Sequence, residues 1–235
     1  MNDMLMKQFR FLILLVLMIP VEHICSQEKS VEVVVQEFIE NMGGEELWKT
    51  TNFLYLKEKM WTKQADPIDM EVWLDLTIAK SKIKLKNRTF DRVRAFTAHG
   101  GWGRLENGRQ YEFDSMRLKQ EIANWKRNIY TICRRIALEK DELTFNLMPN
   151  NIIEIYEDSN VLLCIVELNS NSNPIKWNMK SIYGEEITIH GPLSTFGRFK
   201  LPKWSTSEDG HWQFEYVEVK GFKIAPDISF QSENQ

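Results

Sequence analysis

The sequence has 235 residues, with 30 basic and 33 acidic side chains and a net charge of −3. This near balance excludes the strongly basic surface that is typical of nucleic-acid-binding proteins. Hydrophobic residues make up 43% of the chain, which is enough for one domain with a substantial core.

The chain begins with a segment that has the pattern of a secretory signal peptide. Lys7 and Arg10 precede an apolar run over residues 11–20, and the small residue Ser26 follows. A basic start, a short apolar run and a small residue at the cut are typical of this export signal. The run is shorter than the roughly 20 residues that a membrane-spanning helix needs. We therefore predict that residues 1–26 are removed and that residues 27–235 form a single exported domain.

The first predicted element of that domain is a helix over residues 31–41. Apolar side chains recur there at helical spacing, and Ser30 offers a cap at its start. The pair Gly43-Gly44 ends the helix, because glycine readily adopts the backbone conformation that follows a helix terminus. After this pair the hydrophobic period changes from 3.6 to 2.

Alternating apolar and polar residues then predict a series of strands. The clearest alternation covers residues 69–76, where the apolar members are Met70, Val72, Leu74 and Leu76. The same pattern predicts strands at 53–61, 83–85, 88–96, 152–156, 175–183, 187–189 and 212–216. Clean alternation is typical of antiparallel sheets, since parallel sheets are buried on both faces. Asn-Gly and Asp-Gly turns between the segments indicate that neighbouring strands pair in sequence order.

One long helix interrupts the predicted strands. Its apolar residues recur at steps of four and three, namely Leu118, Ile122, Trp125, Ile129, Cys133 and Ile136. The helix would run for about 24 residues, with Asp114 or Ser115 as its cap. These elements predict an α+β fold, mainly antiparallel β. We expect a curved incomplete barrel, or half-barrel, wrapped over one long helix plus the N-terminal helix.

The glycine-rich segment Gly100-Gly101-Trp102-Gly103 lies among the predicted strands. Glycine propagates a strand poorly, so this segment predicts a bulge or a sharp bend. A structural bend is the favoured interpretation, and a loop that contacts a ligand is the alternative.

Residues for metal or nucleophile chemistry are sparse. The domain has three histidines, which lack the spacing of a zinc helix: His99, His190 and His211. No nucleophile elbow and no glycine-rich phosphate loop occur. We therefore expect neither a metal nor a cofactor.

Carboxylates along one predicted strand offer an enzymatic alternative. Asp69, Glu71 and Asp75 share a face, and together with Glu58 or Glu186 they could form a pair for acid and base catalysis. Alternating carboxylates are more commonly the solvated side of a strand. We accordingly expect that the protein is not an enzyme, and an exported hydrolase stays the least favoured alternative.

Two cysteines remain in the predicted domain, Cys133 and Cys164. In an oxidising compartment they would form either one accessory disulfide or two buried free thiols. The spacing leaves both alternatives open.

Tryptophan is frequent, with eight in the chain. Trp73 shares its strand face with carboxylates and not with the aliphatic residues. It either covers a cross-strand neighbour at the surface or lines the mouth of an apolar cavity. Methionines such as Met70 suit a cavity, because thioethers adapt to irregular ligands.

Four local features occur in a characteristic order. They are Met42-Gly43-Gly44-Glu45-Glu46-Leu47-Trp48, Gly101-Trp102-Gly103-Arg104 before an Asn-Gly turn, the long helix, and Phe199-Lys200-Leu201-Pro202. Together they resemble the LolA/LolB-like family of periplasmic proteins. This resemblance implies an incomplete antiparallel barrel that curls over helices and leaves an apolar cavity for acyl chains.

The leading functional hypothesis is a soluble periplasmic carrier or sensor. It would bind a lipid or lipoprotein acyl chain, or another apolar ligand, without a catalytic group. The candidate ligand-binding residues are Met70, Val72, Trp73, Leu74 and Trp102. We expect a monomer in the periplasm, with peripheral membrane association left open, and an envelope protein as a further partner. The alternative is a protein-interaction module that uses an exposed sheet edge at residues 212–219.

Overall fold

The computed structural model describes residues 29–63, 65–89, 91–138, 142–158, 160–181 and 184–231. The predicted signal peptide, residues 1–26, lies outside the described residues, so its removal stays a prediction. Within the described ranges, no helix is both long and apolar enough to cross a membrane.

In the described part of the chain, thirteen strands form one open antiparallel sheet, and two more form a separate hairpin. The strands are β1 (Phe53–Thr62), β2 (Ala65–Asp75), β3 (Lys80–Lys86), β4 (Asp91–Thr97), β5 (Gly100–Arg104), β6 (Gln110–Glu112), β7 (Leu143–Met148), β8 (Ile152–Glu157), β9 (Val161–Leu168), β10 (Pro174–Ser181), β11 (Gly184–His190), β12 (Leu193–Phe196), β13 (Phe199–Pro202), β14 (Trp204–Ser207) and β15 (Trp212–Phe222). The order in the sheet is β6-β5-β4-β3-β2-β1-β15-β14-β11-β10-β9-β8-β7, and β12 pairs with β13. The predicted class, an incomplete antiparallel barrel with helices, is confirmed.

Strand β15 joins two meanders. β1 to β6 pair in sequence order on one side, β7 to β11 do so on the other, and β15 lies between β1 and β14. The expectation of an exposed edge at residues 212–219 is therefore wrong. Of the described strands, β6 and β7 are the edges of the large sheet.

Four helices of the described ranges pack on one face of the sheet, which we call the inner face. They are α1 (Val31–Asn41), α2 (Glu45–Thr50), α3 (Ser115–Arg127) and α4 (Ile129–Leu138). The main core holds α1 and α4 side chains such as Phe38 and Ile132 together with Leu54 and Leu74 of the sheet. The core therefore lies between the helices and the inner face.

The turn between α1 and α2 requires glycine. Gly43 has a φ of +115°, and a Cβ atom there would lie 2.7 Å from Leu47 Cδ2 and 3.0 Å from the carbonyl oxygen of Arg198. Glycine alone fits this conformation and this space. The predicted end of the first helix is confirmed at this turn.

The predicted long helix is two helices with a break at Asn128. Asn128 has an extended backbone, with φ −72° and ψ 152°. Its Oδ1 accepts from the Thr131 backbone N–H at 2.9 Å, and its Nδ2 donates to the Trp125 carbonyl oxygen at 2.7 Å. One side chain thus satisfies the end of α3 and the start of α4. The apolar periodicity continues through the break, which is why the sequence pattern predicts one helix.

Arg134 of α4 holds the end of α2. Its Nη1 donates to the carbonyl oxygens of Trp48 at 3.0 Å and Thr51 at 2.6 Å, and its Nη2 donates to Asn52 Oδ1 at 2.8 Å. These bonds satisfy carbonyl groups at a helix C-terminus, where a cation is also favoured by the helix dipole. Arg134 thereby fixes the position of α2 against α4.

The segment Gly100–Gly103 is a regular strand, so the predicted bulge or bend is wrong. β5 pairs with β4 and β6 without a register shift. A Cβ atom at Gly101 would lie 2.3 Å from the Phe113 ring, and one at Gly103 would lie 2.3 Å from the Tyr111 ring. The glycines therefore make room for two aromatic rings on the inner face.

The two cysteines of the domain, Cys133 and Cys164, are both buried as free thiols. Burial raises the pKa of each thiol, and for Cys133 the neighbouring Cys164 adds to this effect. A raised pKa disfavours the reactive thiolate. We therefore interpret both as packing residues of the core.

Candidate functional site

The inner face of β1 to β3 has a closed part and an open part. Leu54, Leu56 and Leu74 are buried under the helices. Further along the strands, five apolar side chains on the same face are half-buried, namely Met60, Met70, Val72, Ile83 and Leu85. We call these five residues the apolar floor. They form the partly exposed apolar part of the inner face on these three strands.

Helix α3 extends across the inner face near the apolar floor. Trp125 Nε1 donates to the Asp75 carbonyl oxygen of β2 at 2.6 Å, and Glu121 Oε1 lies 3.4 Å from Arg94 Nη1 of β4. Leu118 and Ile122 belong to the same side of the helix by their spacing and are half-buried. Apolar groups are therefore available on α3 as well as on the sheet.

Glu58 is the polar exception on the inner face of β1. Along that strand the inward positions are Leu54, Leu56, Glu58 and Met60, and Glu58 is 3% exposed. Among the described residues, its carboxyl group has no hydrogen-bond or ion-pair partner. Burial raises the pKa of Glu58 to about 8. The raised pKa favours the protonated carboxyl, which carries one O–H donor.

Two tyrosines lie beside Glu58. Tyr216 of β15 is the direct cross-strand neighbour of Glu58, and its hydroxyl shares a hydrogen bond with the hydroxyl of Tyr130 from α4. Burial raises the pKa of both tyrosines, and the nearby Glu58 adds to the effect. The three side chains form a largely buried polar cluster in which burial favours the uncharged form of every member.

A β-bulge positions Tyr216 in this cluster. Glu58 pairs with Tyr216 whereas Lys57 pairs with Glu218, so Val217 is an extra residue on β15. Tyr216 and Val219 consequently both point to the inner face although they are three positions apart. Strict alternation along this strand would place one of them on the opposite side.

His190 and Ser205 form a second polar pair on the inner face. His190 Nδ1 and Ser205 Oγ are 2.8 Å apart, and burial lowers the pKa of His190 to about 4. His190 Nε2 is buried without a hydrogen-bond partner in the described part of the chain. Ser205 is fully buried, which gives a substrate no access to its Oγ. We interpret this pair as a structural hydrogen bond between β11 and β14.

The five sequence-predicted site residues lie on two faces. Met70 and Val72 belong to the apolar floor, and Leu74 lies next to them in the closed core. Trp73 is on the outer face, where its ring centroid is 5.4 Å from that of Tyr55 and 5.1 Å from Lys84 Nζ. Trp73 therefore covers a cross-strand neighbour, and the structure does not bring it together with the inner three.

Trp102 is also on the outer face, under the C-terminal segment. It clusters with Val93 and Ala95, and its Nε1 donates to the Phe230 carbonyl oxygen at 2.8 Å. The Phe230 ring packs on Phe53, with centroids 6.3 Å apart. Residues 224–231 thus cover a small second core that is remote from the apolar floor.

The carboxylates that suggested acid and base catalysis are not assembled into a pair with Glu58. Asp69 and Glu71 lie on the outer face of β2, opposite to the face that holds Glu58. Asp75 Oδ1 accepts from the backbone N–H of Thr77 at 2.8 Å, so it stabilises a turn. Glu186 is exposed on β11. Within the described ranges, no cluster of three or more potential metal ligands occurs.

The buried position of Glu58 was not predicted, although the sequence contains a signal for it. Every second residue of β1 from position 54 to 60 points inward, and these residues are Leu54, Leu56, Glu58 and Met60. Glu58 is the one charged residue among them. A charged residue in the buried phase of an amphipathic strand marks a buried polar group. Tyr130 and Tyr216 carry no such signal, because tyrosine is common in cores and strands.

A groove of about 1110 Å³ runs outside the core, between α1 and the edge strand β7. Its lining includes Val31, Val35, Leu143, Phe145 and Tyr156. An edge strand leaves one row of backbone N–H and C=O groups unpaired within its sheet. This groove is therefore the second surface to consider for binding.

Comparison with known proteins gives the fold. No protein-family model matches the chain, and no curated protein does. Among solved structures, the chain is similar to a LolA superfamily protein from Nitrosomonas europaea, with a TM-score of 0.51 and 11% identity over 86% of this chain and 99% of that one. Two further similar structures are an uncharacterized conserved protein from Thermus thermophilus (TM-score 0.36, 8% identity, 83% and 90% coverage) and MucB in complex with MucA (TM-score 0.27, 8% identity, 84% and 58% coverage). The first likeness shows that the chain has a LolA-like fold, as the sequence motifs predict.

Proposed function

We propose that this protein is a non-enzymatic carrier or sensor that binds an acyl chain on its inner face. The observation that carries the proposal is the apolar floor, where five adjacent apolar side chains remain half-buried while neighbouring inward residues such as Leu54, Leu56 and Leu74 are buried. The LolA-like fold supports it, since the resemblance to that family implies an apolar cavity for acyl chains.

Burial of an alkyl chain alone supplies enough free energy for micromolar binding, so no catalytic group is needed. Burial of about ten methylene groups at about 0.8 kcal/mol each contributes about 8 kcal/mol, which corresponds to micromolar affinity. Helix α3 adds two half-buried apolar side chains on the inner face, Leu118 and Ile122.

The proposed setting is the periplasm, to which the predicted signal peptide, residues 1–26, directs the protein. The ligand is proposed to be a lipid or lipoprotein acyl chain, with an envelope protein as a further partner and no nucleic acid. The protein is proposed to act as a monomer.

Native mass spectrometry of the gently purified protein, followed by organic extraction, tests the proposal. We expect a stoichiometric adduct with the mass of a lipid. Ile83→Glu places a charge in the apolar floor and is expected to remove the adduct, since a carboxylate there disfavours an alkyl chain. Ile78→Glu is the matched control, because Ile78 lies in a turn and is 56% exposed. Retention of the adduct in both variants would place the ligand elsewhere.

A protein free of any adduct that also takes up no fluorescent fatty acid contradicts the proposal. The groove beside edge strand β7 then supports the second candidate function, protein interaction through an added strand. A partner peptide in extended conformation would pair with β7, and a proline in β7 would disrupt that pairing because it removes a backbone N–H donor.

A further inference from the structure

Glu58 borders the apolar floor on the β1 side. Its neighbours along β1 are Leu56, which is 1% exposed, and the half-buried Met60, so Glu58 lies at the boundary between the closed core and the open part. On the adjacent strand Met70, itself a member of the apolar floor, pairs directly with Glu58. Val72 and Ile83 lie level with Leu56, so the apolar floor continues past Glu58 along the strands. A ligand that crosses the strands from Leu85 through Met70 reaches the Glu58 carboxyl group on β1.

The hydrogen-bonding capacity around Glu58 is unbalanced. The hydroxyls of Tyr130 and Tyr216 bond to each other, and β2 contributes the thioether of Met70, which is at best a weak acceptor. From β12, Phe196 adds an aromatic ring that packs on Tyr216 at 5.4 Å. Nothing in the described part of the chain supplies a hydrogen-bond partner to the Glu58 carboxyl. A buried polar group without a partner is costly, so a ligand that provides one gains affinity.

The chemistry of the missing partner follows from the surroundings. Apolar and aromatic neighbours favour the protonated carboxyl, which offers a hydrogen to an acceptor. An acyl chain carries such an acceptor at one end, the carbonyl oxygen of its ester, amide or acid group. We propose that Glu58 donates a hydrogen bond to the carbonyl oxygen of the acyl ligand, so that this end lies at Glu58 and the alkyl tail covers the apolar floor. This inference rests on the proposed function.

Displacement of a bound fluorescent probe by methyl laurate, lauric acid, dodecane and dodecylamine tests the inference. Glu58→Met removes the hydrogen-bond donor and keeps a side chain of similar length. It is expected to weaken the binding of methyl laurate about threefold to tenfold and to leave the binding of dodecane unchanged. Glu58→Gln keeps an N–H donor and is expected to retain the affinity for methyl laurate. Glu71→Met makes the same change on the outer face and serves as the control.

An infrared measurement reports the bond itself. The carbonyl stretch of isotopically labelled methyl laurate is expected to shift to lower frequency on binding to the wild type and to Glu58→Gln, but not to Glu58→Met. The same labelled ester is bound to all three proteins. A shift that is absent in Glu58→Met therefore reports the hydrogen bond and not the packing of the alkyl chain.

The outcomes separate the inference from the proposed function. If none of the four compounds displaces the probe from the wild type, the proposed function fails, and the inference fails with it. If methyl laurate binds equally to the wild type and to Glu58→Met, the apolar floor binds chains but Glu58 does not recognise the carbonyl. If dodecylamine binds most tightly and Glu58→Gln loses it, the carboxyl recognises a cation and the inference is overturned.

Discussion

Glu58 is buried and His190 is half-buried, and folding shifts their pKa values in opposite directions. Burial raises the pKa of Glu58 from 4.5 to about 8 and lowers the pKa of His190 from 6.5 to about 4. The folded state therefore binds a proton at Glu58 that the unfolded state has released, and it excludes one at His190 that the unfolded state binds.

These two groups give stability a pH dependence with a definite sign. The contribution of Glu58 to the free energy of unfolding is complete below about pH 4.5 and is lost as the pH rises to about 8. The His190 contribution is complete above about pH 6.5 and is lost as the pH falls towards 4. The two effects oppose each other below pH 6.5, and above it Glu58 acts alone.

Glu58→Gln is expected to remove the decrease in stability between about pH 6.5 and 8. The wild type loses up to about 1.4 kcal/mol per pH unit over that interval, because the buried carboxyl ionises only at a cost in free energy. Urea unfolding at a series of pH values measures the slope. Glu186→Gln, at an exposed carboxyl, is the matched control and is expected to keep the wild-type slope. An unchanged slope in Glu58→Gln would show that Glu58 is ionised in the folded protein.

The sequence predicts the face that a residue occupies where apolar and polar residues alternate strictly along a strand. The aliphatic phase of β2 put Met70, Val72 and Leu74 on the inner face, and the other phase put Trp73 with Asp69 and Glu71 on the outer face. The sequence does not give the face of Trp102, because the glycines around this residue conceal the phase of β5. Its outer-face position depends on pairing with Ala95, a contact that no local pattern contains.

At the scale of elements, the junction between α3 and α4 depends on one side chain. Asn128→Ala removes the acceptor for the Thr131 N–H and the donor to the Trp125 carbonyl. We expect a loss of about 1–2 kcal/mol in the free energy of unfolding, as for other N-cap replacements. Thermal or denaturant unfolding measures the difference.

Asn128→Asp is the informative comparison for this junction. It keeps the acceptor that caps α4 and loses the donor to the Trp125 carbonyl. A stability close to that of the wild type would assign the effect to the cap of α4. A loss as large as that of Asn128→Ala would instead assign it to the end of α3.

The elements themselves were largely predictable, and their interruptions were not. The helix period ran unbroken from Leu118 to Ile136 because both helices present apolar residues to the same core. The break at Asn128 is set by two hydrogen bonds whose benefit depends on the position of both helices. Similarly, the bulge at Val217 is visible only from the register against Lys57 and Glu58.

At the scale of the molecule, the C-terminal segment ties distant strands together across the outer face. The Phe230 ring contacts Phe53 of β1, and Lys80 Nζ of β3 lies 4.1 Å from the centroid of the Phe230 ring. The Phe230 carbonyl oxygen accepts a hydrogen bond from Trp102 of β5. Lys82 Nζ of β3 also donates to the Ser229 carbonyl oxygen at 2.8 Å. One segment therefore stabilises three strands of the first meander.

Phe230→Ala is expected to lower the free energy of unfolding by about 1–2 kcal/mol, less than for a fully buried phenylalanine because this ring is half-buried. Denaturant unfolding measures the loss. Ile224→Ala, in the same segment at a side chain that is 84% exposed, is the control and is expected to change little. Equal stability of Phe230→Ala and the wild type would mean that the segment does not pack there in solution.

The overall class of the fold followed from clean alternation and short turns, which specify hairpins locally. The joining of the two meanders did not follow from these local patterns, because the pairing of β15 with β1 connects residues at opposite ends of the domain. Local patterns fix which residues of a strand are buried, but they do not fix which distant strand it adjoins.

The place of β15 has a consequence for how the domain is completed. Of the described strands it is the last to be synthesised or translocated, and it fills the gap between β1 and β14. Until it arrives, the nascent molecule holds two half-sheets, each with an extra open edge that is prone to pair with other chains. Closure then waits for the most sequence-distant contacts, which slows folding. The aggregation-prone intermediate would therefore need protection until the final residues emerge.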